Sequence, residues 1–273
     1  MQDPASCVFN GLTPDCINSD GDPDDVQVDT YFIANPQLSS EQSSQFSFGV
    51  VYDPTDWLDL SLDYYNITVE DNITVFSGKD IVNMDLDPDT YGAIPPGLSI
   101  TRDAGSGRIT EIITGYANAG ELKTDGLDFR ANTDFDFGGA GRLQNRLTVS
   151  WINSYEVTDG GGNSIEWTGR LGYPDLRSSL ANDWTLGDWA FLWNINYIAG
   201  RKSRTRPPSR SVATPPTMSR VAWSAPWNGK VAIGATNVGD RYPELVAYDG
   251  RPWNFYLYDA YGRTIYLRYT QTF

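Results

Sequence analysis

Apolar and polar residues alternate along most of this chain, which is the period of strands with two unlike faces. In 43–53, Phe46, Phe48, Val50 and Tyr52 share one face, and Asp53-Pro54-Thr55-Asp56 then signals a turn. Segment 57–70 sets Leu58, Leu60, Leu62 and Tyr64 against Asp59, Ser61 and Asp63, and its change of phase at Tyr64-Tyr65 predicts a bulge. The cleanest alternation is 121–137. Leu127, Phe129, Ala131, Thr133, Phe135 and Phe137 face one way there, with Asp128, Arg130, Asn132, Asp134 and Asp136 opposite. Further strands are predicted at 142–156, near 170–184, and at 189–200, 218–225 and 230–239. The last runs from Gly262 to Phe273, with Ile265, Leu267, Tyr269 and Phe273 on one face. Between 71 and 117 the pattern is uneven. It reads as a long connection holding one small hairpin, 100–102 with 108–110, around Asp103-Ala104-Gly105-Ser106-Gly107.

The predicted strands run about 10–17 residues, whereas strands of globular proteins centre near 5–6 and a tilted membrane-crossing strand needs about 9–11. One face is polar and charged and the other apolar, as for a wet interior with lipid outside. Trp57, Tyr155, Trp184, Trp189, Tyr197, Trp223 and Trp227 gather at strand ends, where an aromatic girdle would sit. Short turns at 53–56, 138–141, 185–188 and 226–229 alternate with long connections at 71–117, 157–168, 201–217 and 240–261. That is the asymmetry of periplasmic turns and outer loops. The expected fold is therefore all-β, an antiparallel transmembrane β-barrel. The count is nine strands, and because single-chain bacterial barrels have even counts, further strands are expected upstream. Residues 1–42 are expected to form an extracellular loop region and 43–273 the barrel portion. A passive porin-like channel and a soluble β-rich carbohydrate-binding module are the competing readings.

Composition narrows the chemistry. The chain has 9 Trp, 16 Tyr and 11 Phe, a net charge of -15 and no histidine, which excludes Ser-His-Asp and Cys-His catalysis, and no enzyme is expected. All 14 acids of residues 1–78 precede the first basic residue, Lys79, so nucleic acid is not an expected partner. No apolar run approaches the length of a membrane-spanning helix, and Met1-Gln2-Asp3-Pro4 shows no signal-peptide pattern. Cys7 and Cys16, the only cysteines, suit a small disulfide loop in an oxidising compartment. Asp20, Asp22 and Asp24 stand at alternate positions that could ligate calcium through oxygen, but the twelfth-position Glu of an EF-hand is missing; a solvated acidic loop is the other reading. No other cofactor is expected.

The ordered motifs resemble the C-terminal half of a TonB-dependent outer-membrane receptor. Asn35-Pro36-Gln37-Leu38-Ser39-Ser40-Glu41-Gln42-Ser43 looks like the stretch that opens a descending strand in that family. Asp53-Pro54-Thr55-Asp56-Trp57-Leu58 with Asp63-Tyr64-Tyr65 is similar to its next hairpin. Asn118-Ala119-Gly120 with Thr124-Asp125-Gly126-Leu127-Asp128, Asn237-Val238-Gly239-Asp240 and the terminal strand follow in the same order. The resemblance covers roughly residues 35–273. It implies about nine C-terminal strands of a 22-stranded barrel in a Gram-negative outer membrane. It also implies import of a scarce ligand (siderophore, cobalamin or oligosaccharide) driven by the TonB complex through a plug domain with no counterpart in these residues. Outer-membrane lipid and the barrel-assembly machinery are further implied partners. Ile265, Leu267, Tyr269 and Phe273 would carry the assembly signal, and Gln271 departs from the family's apolar residue at that place. The aromatic loop 240–261, with Tyr242, Tyr248, Trp253, Phe255, Tyr256 and Tyr258, could stack on a sugar or an aromatic chelate, or anchor the chain at the membrane interface. Segment 201–219, basic and Pro-rich from Arg201 to Arg210, admits three readings: an anion-binding loop, a plain disordered loop, or a reading-frame slip in the source gene. In the last, codons for Tyr-Thr-Thr-His-Asp-Val would be read out of frame as Ala213 to Ser219.

Overall fold

A computed structural model describes residues 28–159, 163–199, 218–243, 245 and 252–273. In chain order its elements are β1 (Asp29–Phe32), β2 (Gln42–Thr55), β3 (Leu58–Glu70), β4 (Ile73–Phe76), α1 (Gly78–Leu86), α2 (Pro88–Tyr91), β5 (Ser99–Arg102), β6 (Ile109–Asn118) and β7 (Glu121–Asp136). There follow β8 (Arg142–Thr158), β9 (Ser164–Glu166), β10 (Leu176–Leu186), β11 (Trp189–Ile198), β12 (Met218–Ser224), β13 (Gly229–Thr236) and β14 (Thr264–Gln271). The chain divides into two compact units. The first is Met1–Gln45, Ile67–Lys123 and Glu156–Glu166; the second is Phe46–Asn66, Thr124–Tyr155 and Trp167–Phe273.

The nine strands expected from alternation form one sheet in the order β14-β13-β12-β11-β10-β8-β7-β3-β2, with β9 added beside β8. The sheet path ends at β2 and β14, as expected for part of a larger barrel. Antiparallel register carries the two-faced pattern across strands. Leu147 pairs with Leu180 and Leu180 with Ile195 on one side; Arg146 pairs with Ala181 and Ala181 with Asn194 on the other. The bulge expected at Tyr64-Tyr65 is absent. Asp59 meets Asn132, and six residues on Tyr65 lies over Gly126, six residues back along β7, so the phase never slips. The apolar positions stop alternating there because Tyr65 fills the space left by a glycine.

Apolar side chains on the second unit's outer face remain open, as a lipid-facing surface requires: Ile233 is 54% and Leu267 74% exposed. At the short-turn end, rings run in a nearly continuous belt. Trp57 contacts Phe135 at 5.1 Å, Trp184 contacts Phe191 at 5.3 Å, and Trp189, Trp223 and Trp227 follow at 6.3 and 5.6 Å. The same face holds polar residues that are paired internally. Asn145 Nδ2 donates to Thr133 Oγ1 at 2.8 Å, and Asn182 Nδ2 donates to the Trp193 carbonyl at 3.1 Å. In hydrocarbon an unpaired amide would be costly, and these bonds remove that penalty.

The long connection 71–117 is itself a folded module, which alternation alone did not reveal. In the first unit, β6 is flanked by parallel β1 and antiparallel β4 and β5, and the expected hairpin is the β5–β6 pair. Ser77 caps α1 in a capping box with Asp80, and Asp87 caps α2 ahead of Pro88. Helix α1 buries Ile81, Val82 and Met84 against Phe76, Leu98, Ile109, Ile112 and Ala117. Ile81 and Ile112 are fully buried, each stabilising the module by about 1.5–3 kcal/mol. Among the described residues no helix is long and apolar enough to cross a membrane.

Candidate functional site

The polar face of the second unit carries side chains paired across neighbouring strands. Asn132 Nδ2 donates to Asp59 Oδ1 at 2.6 Å, Ser150 Oγ to Asp128 Oδ1 at 2.5 Å, and Gln144 Nε2 to Asp134 Oδ2 at 2.9 Å. Arg142 forms a two-pronged ion pair with Asp134. Of these, Asp59, Asn132, Asp134 and Gln144 border a cavity of about 810 Å³ whose wall also includes Asp53, Arg146, Asp183 and Leu192. Buried Oδ1 atoms of Asn132 and Asp183 have no protein partner, so this wall keeps acceptors for water or solute. Among the described residues no group of three or more His, Cys, Asp or Glu side chains is placed to hold a metal ion. The chemistry offered by this wall is hydrogen bonding and fixed charge.

The long-connection ends of the strands are held by asparagine clasps, built from the residues that carried the sequence motifs. Asn35, 8% exposed, donates through Nδ2 to the carbonyls of Pro96 at 2.8 Å and Tyr116 at 2.9 Å, while its Oδ1 accepts from Gln37 N–H. Gly97 is obligatory beside it, since its φ is +88° and a Cβ would stand 2.0 Å from Asn35 Oδ1. Asn118 donates to the carbonyls of Ser39 and Asp71 and accepts from Ser39 N–H; Glu41 Oε1 accepts from Ile73 N–H at 2.7 Å. In the second unit Asn237 donates to the carbonyls of Arg241 and Tyr261, and Asp240 Oδ1 accepts from Arg263 N–H at 2.8 Å. Each clasp supplies partners to backbone groups that leave a ladder for a loop. The β5–β6 hairpin has a similar device. Asp103 Oδ1 accepts from Ser106 Oγ and N–H and from Gly105 N–H, which holds its carboxyl below the usual range.

Of the ligand-stacking candidates, Phe255 and Tyr256 lie with ring centroids 4.3 Å apart, Tyr256 and Tyr242 are largely exposed, and Trp253 is half-buried. Their turn is organised by Asn254, 1% exposed, whose Oδ1 accepts from Tyr256 N–H and whose carbonyl accepts from Tyr258 N–H. Alternation gave no signal for this residue. Tyr248, the Cys7–Cys16 pair, the Asp20, Asp22 and Asp24 calcium candidate and segment 201–217 lie outside the described residues. On β14, Ile265, Leu267 and Tyr269 share the apolar face as read from the sequence, and terminal Phe273 is exposed. Gln271 has a local role. It accepts from the Tyr269 hydroxyl and donates to the Trp227 carbonyl at 3.1 Å, bracing the turn between β12 and β13.

No curated protein matches the sequence at a significant level. Solved structures share the fold at low identity. The outer membrane transporter YddB from Escherichia coli aligns with a TM-score of 0.58 and 12% identity over 88% of this chain and 34% of its own. The ferric enterobactin receptor PfeA from Pseudomonas aeruginosa (G324V mutant) gives 0.55 and 14% over 86% and 32%. The siderophore receptor PirA from Acinetobacter baumannii gives 0.52 and 14% over 85% and 32%. The chain thus spans about a third of the length of these neighbours. A family model, the β-barrel of TonB dependent receptor-like proteins, matches residues 9–272. With nine ordered strands, a polar face turned from an apolar one, and that match over nearly its whole length, the chain belongs to the TonB-dependent receptor β-barrel family.

Proposed function

We propose that this chain is the C-terminal barrel portion of a receptor in a Gram-negative outer membrane that imports a scarce small molecule with energy from the TonB complex. The observation that carries this reading is the nine-strand sheet, whose hydrogen-bonded polar face borders a cavity of about 810 Å³ while its opposite face is apolar and exposed. A fixed wall of hydrogen-bonding and charged groups suits capture of a polar solute at low concentration. An iron chelate is the favoured ligand class, because neighbours of this fold include a ferric enterobactin receptor and a siderophore receptor. Plug and TonB contacts would come from sequence beyond these residues. The β14 face of Ile265, Leu267 and Tyr269 with Phe273 is the segment we assign to barrel assembly.

The test is growth of an iron-starved Gram-negative strain lacking its own ferric receptors, expressing this coding sequence with its in-frame upstream sequence. Rescue by a ferric siderophore in a TonB-positive strain, and none in a TonB-negative strain, is the expected result. Rescue independent of TonB would replace this reading with passive diffusion. Correct insertion without rescue by any iron chelate, cobalamin or oligosaccharide would overturn it.

A further inference from the structure

The segment that follows β9 gathers three side chains against β8 within the second unit. Tyr173 lies 5.6 Å from Tyr155 in a near-parallel stack, Trp167 lies 5.0 Å from Tyr173, and the Arg170 guanidinium sits 5.3 Å from the Trp167 ring centre. The turn is rigidly built. Trp167 N–H donates to the Tyr155 carbonyl at 2.8 Å, Gly169 N–H to Tyr173 at 2.7 Å, and Tyr173 N–H to Arg170 at 3.0 Å. Tyr155 stands on the apolar face of β8, in step with Leu143, Leu147, Val149 and Trp151.

Depth follows from residue counting. Leu143 pairs with Trp184 of the short-turn aromatic belt. Ten residues on, at about 3.4 Å each and a tilt of about 45°, Asn153 stands about 24 Å higher along the membrane normal, close to the height of a barrel's apolar band. Asn153 Nδ2 donates at 3.0 Å to Asp125, the first charged side chain on this face of β7 and β8 above the belt. The apolar band therefore ends there. The Tyr155 cluster lies one step beyond it, in the headgroup layer on the long-connection side.

We propose that Tyr155, Trp167, Arg170 and Tyr173 form a binding site for the anionic headgroup of an outer-leaflet lipid. The rings take the glycerol or sugar region, and the Arg170 guanidinium takes a phosphate oxygen. Three observations favour this occupant: the cluster continues the lipid-facing surface, its ring edges suit a half-wet layer, and its exposed cation lies over the Trp167 ring. The planar fork of Arg170 suits a phosphate better than a neutral choline-type surface. This inference rests on the membrane-spanning fold and is independent of which solute is imported.

The experiment reconstitutes the chain, expressed with its in-frame upstream sequence, in phosphatidylcholine bilayers and measures, by electron paramagnetic resonance, its relative association with spin-labelled phosphatidylglycerol and spin-labelled phosphatidylcholine. Preference for phosphatidylglycerol is expected, reduced about fivefold in R170Q, partly kept in R170K and unchanged in R108Q, which alters the first unit. Arg170 is exposed, so R170Q should insert normally, and heat-modifiable gel migration checks this. W167A should weaken the preference as well, since it removes the surface that holds the guanidinium. Equal association with the two lipids in the unaltered chain, or an unchanged preference in R170Q, would overturn the site. Competition by millimolar inorganic phosphate would show that it takes free phosphate and would overturn the lipid assignment.

Discussion

The side-chain amide of Asn237 pairs with both backbone polar groups of Arg241, accepting from its N–H at 3.0 Å and donating to its carbonyl at 2.7 Å. In effect the side chain stands in for a neighbouring strand at the point where β13 gives way to the loop. Asn237 also adopts a φ of 49°, a conformation that asparagine tolerates better than most residues.

Asn237→Ala removes three hydrogen bonds and adds left-handed strain, an expected loss of about 2–4 kcal/mol. Asn237→Gly relieves the strain alone and should recover about 1 kcal/mol of it. Urea unfolding from lipid vesicles, followed by tryptophan fluorescence, measures both. Equal stability of the alanine and unaltered chains would show that the clasp is dispensable.

Two glycines face tyrosines across strand pairs but differ in what blocks a Cβ. At Gly126 the obstacles are the Trp151 carbonyl oxygen at 2.4 Å and the Tyr65 hydroxyl at 2.5 Å; at Gly234 they are atoms of the Tyr266 ring at 2.5 Å. A ring can swing aside and a ladder carbonyl cannot. Gly126→Ala should cost about 2–3 kcal/mol, the upper part of the overpacking range, and Gly234→Ala about 1 kcal/mol. The Gly234→Ala cost should shrink in a Tyr266→Ala background, and the reverse ranking in the same unfolding assay would refute this account.

A charge on the apolar face distinguishes a lipid-facing surface from a water-facing one. Val149→Arg places a cation about midway up the apolar face of β8 and should cost about 2–4 kcal/mol in bilayers. Thr148→Arg, on the polar face, should cost under about 1 kcal/mol. Folding yield into phosphatidylcholine vesicles, read by heat-modifiable migration, would have to be equal for the two variants to count against membrane crossing.

The Asp103 hairpin should weaken in acid. Its carboxyl is held below the ordinary aspartate range by the Ser106 hydroxyl first, and by backbone N–H groups of Ser106 and Gly105. Because the folded value is depressed, the contribution is present above the unfolded value and is lost as pH falls through the folded one. Amide protection at Gly105 and Ser106, corrected for intrinsic exchange, should be constant above about pH 5 and fall below about pH 4. Asp103→Asn should flatten that dependence, and a profile that stays unchanged would remove Asp103 as its source.

Strand positions, short turns and facing pattern were legible from the residues, since alternation such as Leu127 to Phe137 against Asp128 to Asp136 is a local property of one strand in two solvents. Tyr65 misled the reading for a definable reason. Its ring serves Gly126 on another strand, a need invisible along its own segment. The first-unit module escaped because its helix is only nine residues long and its core is collected from β4, α1, β5 and β6. Even so, the Ser77-to-Asp80 capping box and Pro88 were readable signals.

The motif residues divide along the same line. That Asn35, Asn118 and Asn237 recur before turns can be read from order along the chain. Their carbonyl partners lie up to 81 positions away, and which carbonyls those are depends on how distant segments meet. Local alternation was enough to define strands and faces, because each strand answers to the media on its two sides. The clasps, the folded module, and the joining of Tyr155 to Trp167, Arg170 and Tyr173 required the assembled chain. Hydrogen bonds and ring contacts across such separations are decided by strand register, and no single segment encodes that register alone.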